Sequence, residues 1–146
     1  MIRPVIDASV AVKWVIEEEG SALASRLQGV PCLAPDLISA ECANILWKKV
    51  RRGEITGQEA LLASRALAIA DVTQVPMQPH RERAMVLALT LDHPAYDCFY
   101  LAVAEDAGSR LVTADARFLN RMRQQPDARL SGLVWSLAEA ARQIGA

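Results

Sequence analysis

Short apolar runs alternate with longer stretches of helical period along the chain. An apolar run over residues 2–6 has strand length and stops at Asp7. Residues 9–17 and 21–27 then carry helical patterns, with a short strand predicted over 30–34. A long helix is predicted over 36–52, with Asp36 as its N-cap and Gly53 just past its end. Thr56 can cap a second long helix reaching about residue 70, with Gln58 and Glu59 in its first turn. A strand follows over 72–75 and a helix over 80–91, broken by Asp92-His93-Pro94. The pattern continues with a helix over 96–107 closed by Gly108, a strand over 110–113, a helix over 116–123, a strand over 129–134 and a helix over 136–144. The 36–52 segment is apolar in most directions, through Leu37, Ile38, Ala40, Ala43, Ile45, Leu46, Trp47 and Val50. That breadth predicts burial on several sides. It leaves one polar stripe of Glu41, Asn44, Lys48, Arg51 and Arg52.

Alternating strands and helices predict an α/β fold with a largely parallel sheet. No repeat, low-complexity segment or Pro/Gly/Ser-rich linker divides the chain, so a single domain over 1–146 is expected. Parallel sheets bind their ligands at the carboxyl ends of the strands. Asp7 follows the first strand and Asp115 follows the 110–113 strand, which predicts both carboxylates on one sheet edge.

Composition narrows the class. An apolar fraction of 52% with 23% charged residues excludes a disordered or fibrous chain. Sixteen basic and seventeen acidic residues give a formal net charge of −1, a balance that at first argues against a nucleic-acid partner. No secretory signal or apolar run of membrane-spanning length is visible, so a cytoplasmic location away from membranes is expected. Cys32, Cys42 and Cys98 form an odd set without a C-x-x-C pair and read as free, buried thiols. Two histidines, His80 and His93, are too few for a His/Cys zinc site. Nucleotide-cradling and serine-hydrolase motifs are absent.

Four acids remain. Asp7 and Asp115 can each cap the helix that follows, and Asp97 suits the first turn of the 96–107 helix. Asp97 shares its stripe with Leu101 and Ala104, so it points roughly where core residues point. Glu41 lies on the polar stripe of the 36–52 helix, which faces either solvent or a site. Taken together, oxygen donors converging without a histidine or cysteine cluster suit a hard cation, Mg²⁺ or Mn²⁺. Such a cation can polarise a phosphodiester and activate water.

The segments VIDASVAVKW, APDLISAECANILWKK and AYDCFYLAVAEDAGSRLVTAD, in that order, resemble the PIN-domain family and within it the VapC-type toxins of toxin–antitoxin pairs. The likeness runs from Ile2 to about Leu119. It implies a three-layer α/β/α sandwich around a mostly parallel sheet and a metal-dependent endoribonuclease. Asp7, Glu41, Asp97 and Asp115 match the family's four acids, with Asp7, Asp97 and Asp115 as the expected metal ligands and Glu41 orienting or deprotonating water. Ser9 and Thr113 match hydroxyls that support the acids, and Asn44 matches the polar neighbour of the glutamate. Lys48, Arg51 and Arg52 are candidate contacts to RNA phosphates, or else a solvated helix end; Arg117, Arg121 and Arg123 carry a weaker suggestion of the same kind. The resemblance further implies an RNA substrate, a cognate antitoxin and a homodimer.

Two other readings compete: a PIN-type RNA-processing nuclease without an antitoxin, and a non-enzymatic phospho-accepting or binding module. The phospho-accepting module needs a lysine after its last strand, and no lysine follows Lys49. Setting the four acids aside turns the formal charge from −1 to +3. Neutralised by cations, they leave a surface compatible with RNA, and metal is then expected to matter for binding as well as for cutting.

Overall fold

The computed structural model describes residues 3–145, so Ile2 of the first predicted strand lies outside the described residues. Five strands, β1 (Val5–Ile6), β2 (Cys32–Pro35), β3 (Val72–Val75), β4 (Leu111–Thr113) and β5 (Val134–Ser136), form one sheet in the order β3-β2-β1-β4-β5. Every pairing is parallel. The central strands are buried on both faces, as near-continuous aliphatic runs in a helix-covered parallel sheet require. Val5, Ile6, Leu111 and Val112 are all fully inaccessible. Helices flank the sheet in a three-layer α/β/α sandwich.

The helices are α1 (Ala8–Ala11), α2 (Ser21–Ser25), α3 (Ile38–Arg51), α4 (Gly57–Ala68), α5 (Arg81–Leu91), α6 (Ala95–Asp106), α7 (Ala116–Arg123), α8 (Ala128–Ser131) and α9 (Leu137–Gly145). Helix α6 packs against β1, β2 and β4 with α5 beside it. Its burial is nearly continuous from Cys98 to Ala104, apart from half-buried Phe99. Removing a side chain such as Leu101 from water stabilises the fold by roughly 1.5–3 kcal/mol. The α5–α6 break at Asp92-His93-Pro94 is real. Asp92 takes a left-handed conformation with φ 50°, and Pro94 sits at the N-cap of α6.

Several boundaries differ from the sequence pattern. The predicted 9–17 helix is one short α-helical turn followed by a 3₁₀ turn over Val12–Trp14. Asp36 does not cap α3, whose N-cap is Leu37. Its backbone N–H instead extends the ladder to the Val75 carbonyl (2.8 Å), and its carboxylate accepts from the Met77 N–H (3.1 Å). Asp36 therefore ends a strand rather than starting a helix. The predicted 129–134 strand is overturned except at its last residue, Val134. The Asp127 carboxylate accepts from Arg129 N–H and starts α8, so β5 begins only at Val134. Helix α3 is buried along one line, Ile38, Cys42 and Leu46, and not on several sides. Ala40, Ala43 and Trp47 are exposed, since α3 meets the body mainly through α1, α4 and the 3₁₀ turn. Thr56 does cap α4, in a reciprocal arrangement with Glu59.

Candidate active site

The strand order reverses direction between β1 and β4, and that is where a crevice opens at the carboxyl edge. Register sets its geometry. Ile6 pairs with Val112, so the next residues, Asp7 and Thr113, stand side by side. The Thr113 hydroxyl donates to Asp7 Oδ2 (2.5 Å), and the Ser9 hydroxyl donates to Asp7 Oδ1 (2.5 Å). Asp7 Oδ1 also accepts from Val10 N–H and so caps α1. The same two hydroxyls accept from the next loop, Ser9 Oγ from Ala114 N–H and Thr113 Oγ1 from Asp115 N–H. This lattice ties the ends of β1 and β4 into one rigid unit around a single carboxylate.

Asp7, Ser9, Glu41, Asn44, Lys48, Asp97 and Asp115 line one open cleft of about 500 Å³, with Tyr96 and Ile45 among its other walls. Helix α3 contributes Glu41, Asn44 and Lys48, α6 contributes Asp97, and the α7 N-cap is Asp115. Thr113 lies behind Asp7 rather than in this cleft. Arg51 and Arg52 are not in it either. Arg51 stacks over the Trp47 ring at 5.3 Å, and Arg52, largely exposed, approaches Glu54 at 3.9 Å.

The acids influence one another. Burial pushes the Asp7 carboxyl up from 3.8 to about 6, the neighbouring Asp97 charge adds to that, and the Ser9 and Thr113 hydroxyls counteract it. Burial also raises Glu41, again with a contribution from Asp97. Asp97 is half-exposed toward the cleft, while Leu101 and Ala104 on the same stripe are fully buried, because the first turn of α6 projects past the sheet edge. Asp115 is exposed and uses Oδ1 to accept from the Arg117 and Phe118 N–H groups, so it caps α7 and faces the cleft at once.

Two further residues belong to the site. His93 Nε2 lies 2.7 Å from Asp97 Oδ2, and its ring packs on Phe118 at 4.9 Å between centroids. Its other nitrogen, Nδ1, is buried without a hydrogen-bond partner among the described residues. The spacing of four residues before Asp97 was the available signal, masked by the helix-breaking role of Asp92-His93-Pro94. Tyr100, fully buried, lies behind Glu41 and offsets part of the rise that burial gives its pKa, although among the described residues its hydroxyl makes no well-formed hydrogen bond. Nothing in the pattern of α6 separates Tyr100 from an ordinary core aromatic. The three cysteines are free and buried, and burial pushes Cys32 and Cys42 up to about 12 and Cys98 to about 11, which makes them inert thiols.

All the donors facing the cleft are oxygens apart from Lys48 and the Asn44 amide, and the mutual repulsion of the carboxylates is what a cation relieves. Among the described residues no three acids, histidines or cysteines approach closely enough to form a ready-made chelate. The set therefore fits a hydrated cation of the Mg²⁺ type, held by one or two carboxylates and keeping several waters, and does not fit an all-protein cage.

Known proteins resemble this chain along most of its length. The family model described as "PIN domain" matches residues 5–123. Ribonuclease VapC12 of Mycobacterium tuberculosis is 33% identical over 114 residues, spanning 77% of this chain and 87% of the relative. Ribonuclease VapC3 of Pyrobaculum aerophilum is 32% identical over 129 residues, spanning 82% and 95%. In fold, a P. aerophilum crystal structure superposes with a TM-score of 0.71 at 20% identity, over 99% of this chain and 90% of that one. The M. tuberculosis VapC20 structure, described as a sarcin-ricin loop cleaving toxin, superposes with a TM-score of 0.61 at 17% identity, over 79% and 92%.

Proposed function

This chain belongs to the PIN-domain family, in its VapC branch, and from that membership we propose that it is a metal-dependent endoribonuclease, the toxin of a VapBC-like pair. The observation that carries the reading is the cleft itself: Asp7, Glu41, Asp97 and Asp115 open together at the point where the sheet order reverses. A divalent cation, Mg²⁺ or Mn²⁺, when bound there polarises the scissile phosphodiester and makes its water a better nucleophile. Asp7, Asp97 and Asp115 would hold it, directly or through water. Ser9 and Thr113 fix the Asp7 carboxylate, so that it is presented in one orientation. Glu41, with its raised pKa, is suited to take a proton from the attacking water. Asn44 stands one turn along α3 from Glu41 on the wall of the same cleft and can orient that water or an RNA oxygen. Lys48 on the same wall supplies a positive charge for a phosphate oxygen, a role that the placement of Arg51 and Arg52 does not favour.

The VapC relatives support a cognate VapB-type antitoxin as partner. A cytoplasmic setting follows from an RNA substrate, and no helix among the described residues is long and apolar enough to cross a membrane. A homodimer is part of the same reading. The test is RNA cleavage by protein purified free of antitoxin, with Mg²⁺ or Mn²⁺ and with EDTA. Cleavage that requires metal and disappears in Glu41→Gln is expected. No cleavage of any RNA with metal present would sink the reading.

A further inference from the structure

Beyond Asp97 and Asp115 the surface opens into a second cleft of about 880 Å³, and these two acids form the rim shared with the first. We infer that this second cleft, walled by α7, is the track for single-stranded RNA on one side of the cut. The inference rests on the ribonuclease reading and names where the substrate strand runs.

Helix α7 is sharply two-faced. Phe118 and Met122 are buried against the body. Arg117, Asn120, Arg121 and the C-cap Gln124 stand at i, i+3, i+4 and i+7, one stripe facing the cleft, and all four are exposed. Among the described residues no ion pair or hydrogen bond engages any of these four side chains. Arg123, on the same helix but off this stripe, is paired with Glu139, and Arg83 and Arg129 are paired with Glu105 and Asp127. Gln125 is also spent, since its amide donates to the Arg121 carbonyl.

The chemistry of the stripe points to one ligand class. Unpaired guanidiniums one helical turn apart, roughly 6 Å along the axis, suit successive phosphates of an extended strand. Carboxamides carry both donor and acceptor and match base edges. A duplex of RNA hides those edges in its deep groove, whereas a single strand can splay its bases toward side chains. The acids at the rim repel phosphate unless a cation neutralises them, which places backbone contacts along α7 and the reacting phosphate at its N-terminal end. Asp115, the N-cap of that helix, is where the stripe meets the acids.

The test is binding of a fluorescently labelled single-stranded oligoribonucleotide with Mg²⁺ present, in the Glu41→Gln background that stops cleavage. Arg117→Ala/Arg121→Ala should raise Kd about tenfold and flatten the salt dependence by about 1.4 in log–log slope, at about 0.7 for each phosphate no longer neutralised. Arg117→Gln/Arg121→Gln, which removes the charges but keeps helix-favouring side chains, should behave the same. The control Arg65→Ala/Arg129→Ala, equal in charge but away from the cleft, should change Kd less than twofold. Binding by both cleft variants within twofold of their parent overturns the inference. Loss of the antitoxin complex alone, with RNA binding unchanged, overturns it too and makes the cleft a protein-docking surface. Cleavage by the wild-type chain is measured alongside: a wild type that cuts RNA while the cleft variants bind normally refutes only this track, and a wild type that cuts no RNA refutes the ribonuclease reading.

Discussion

Replacing Asp7 with asparagine should stabilise the metal-free protein near neutral pH. The Asp7 carboxyl has its pKa pushed up from 3.8 to about 6 because it is buried and faces Asp97. The native state therefore keeps a proton that the unfolded chain has released between about pH 4 and 6, and stability falls as pH climbs through that window. At 1.36 kcal/mol per pH unit, roughly 3 kcal/mol is lost by pH 7. Asp7→Asn removes the charge with almost the same shape. Its Oδ1 keeps the Ser9 and Val10 donors, but its amide nitrogen meets the Thr113 hydroxyl, which must turn and lose its acceptor. That exchange costs about 1 kcal/mol. The net gain is about 2 kcal/mol, an increase in Tm of roughly 4–8 °C for a domain of this size. Thermal melts in EDTA at pH 7.5 and pH 4 check it: the variant should melt higher at pH 7.5, with the gap closing by pH 4. Adding Mg²⁺ should raise the wild type and leave the variant unmoved, since only the wild type gains from ligand binding. A variant that melts below wild type at pH 7.5 in EDTA, or a gap that ignores pH, would refute the reasoning.

Three other substitutions probe the neighbouring shell. Tyr100→Phe removes the hydroxyl that offsets part of the rise in the Glu41 pKa, so the acid limb of the kcat/KM profile for RNA cleavage should move further to higher pH; an unmoved limb means Glu41 does not titrate in it. His93→Ala frees the Asp97 carboxylate from its 2.7 Å partner and should lower kcat/KM by about tenfold, with partial recovery in His93→Gln. Thr56→Ala breaks the cap of α4 far from the cleft and should cost about 1 kcal/mol in a denaturation curve while cleavage stays at the wild-type rate.

The sequence by itself determined the alternation of elements, the parallel sheet and the placement of Asp7 and Asp115 at strand ends. Those features follow from periodicity and from where an apolar run stops, both local properties. It also determined the Thr56 cap, because a reciprocal side-chain pair three residues apart needs no distant partner. The tertiary structure decided what depends on contacts distant in sequence. Thr113 reaches Asp7 across 106 positions only because β1 and β4 align Ile6 with Val112. Asp36 became the end of a strand because β3 offered Val75 and Met77 as partners, which outcompeted its helix-capping tendency. Trp47 stayed exposed although its helix is apolar in most directions, since only one line of α3 meets the body of the fold. The same holds for the site. Four acids could be named from their positions, but their convergence with His93 and Tyr100, and the electrostatic coupling of Asp97 with Asp7 and Glu41, exist only once α3 and α6 lie beside the carboxyl edge of the sheet.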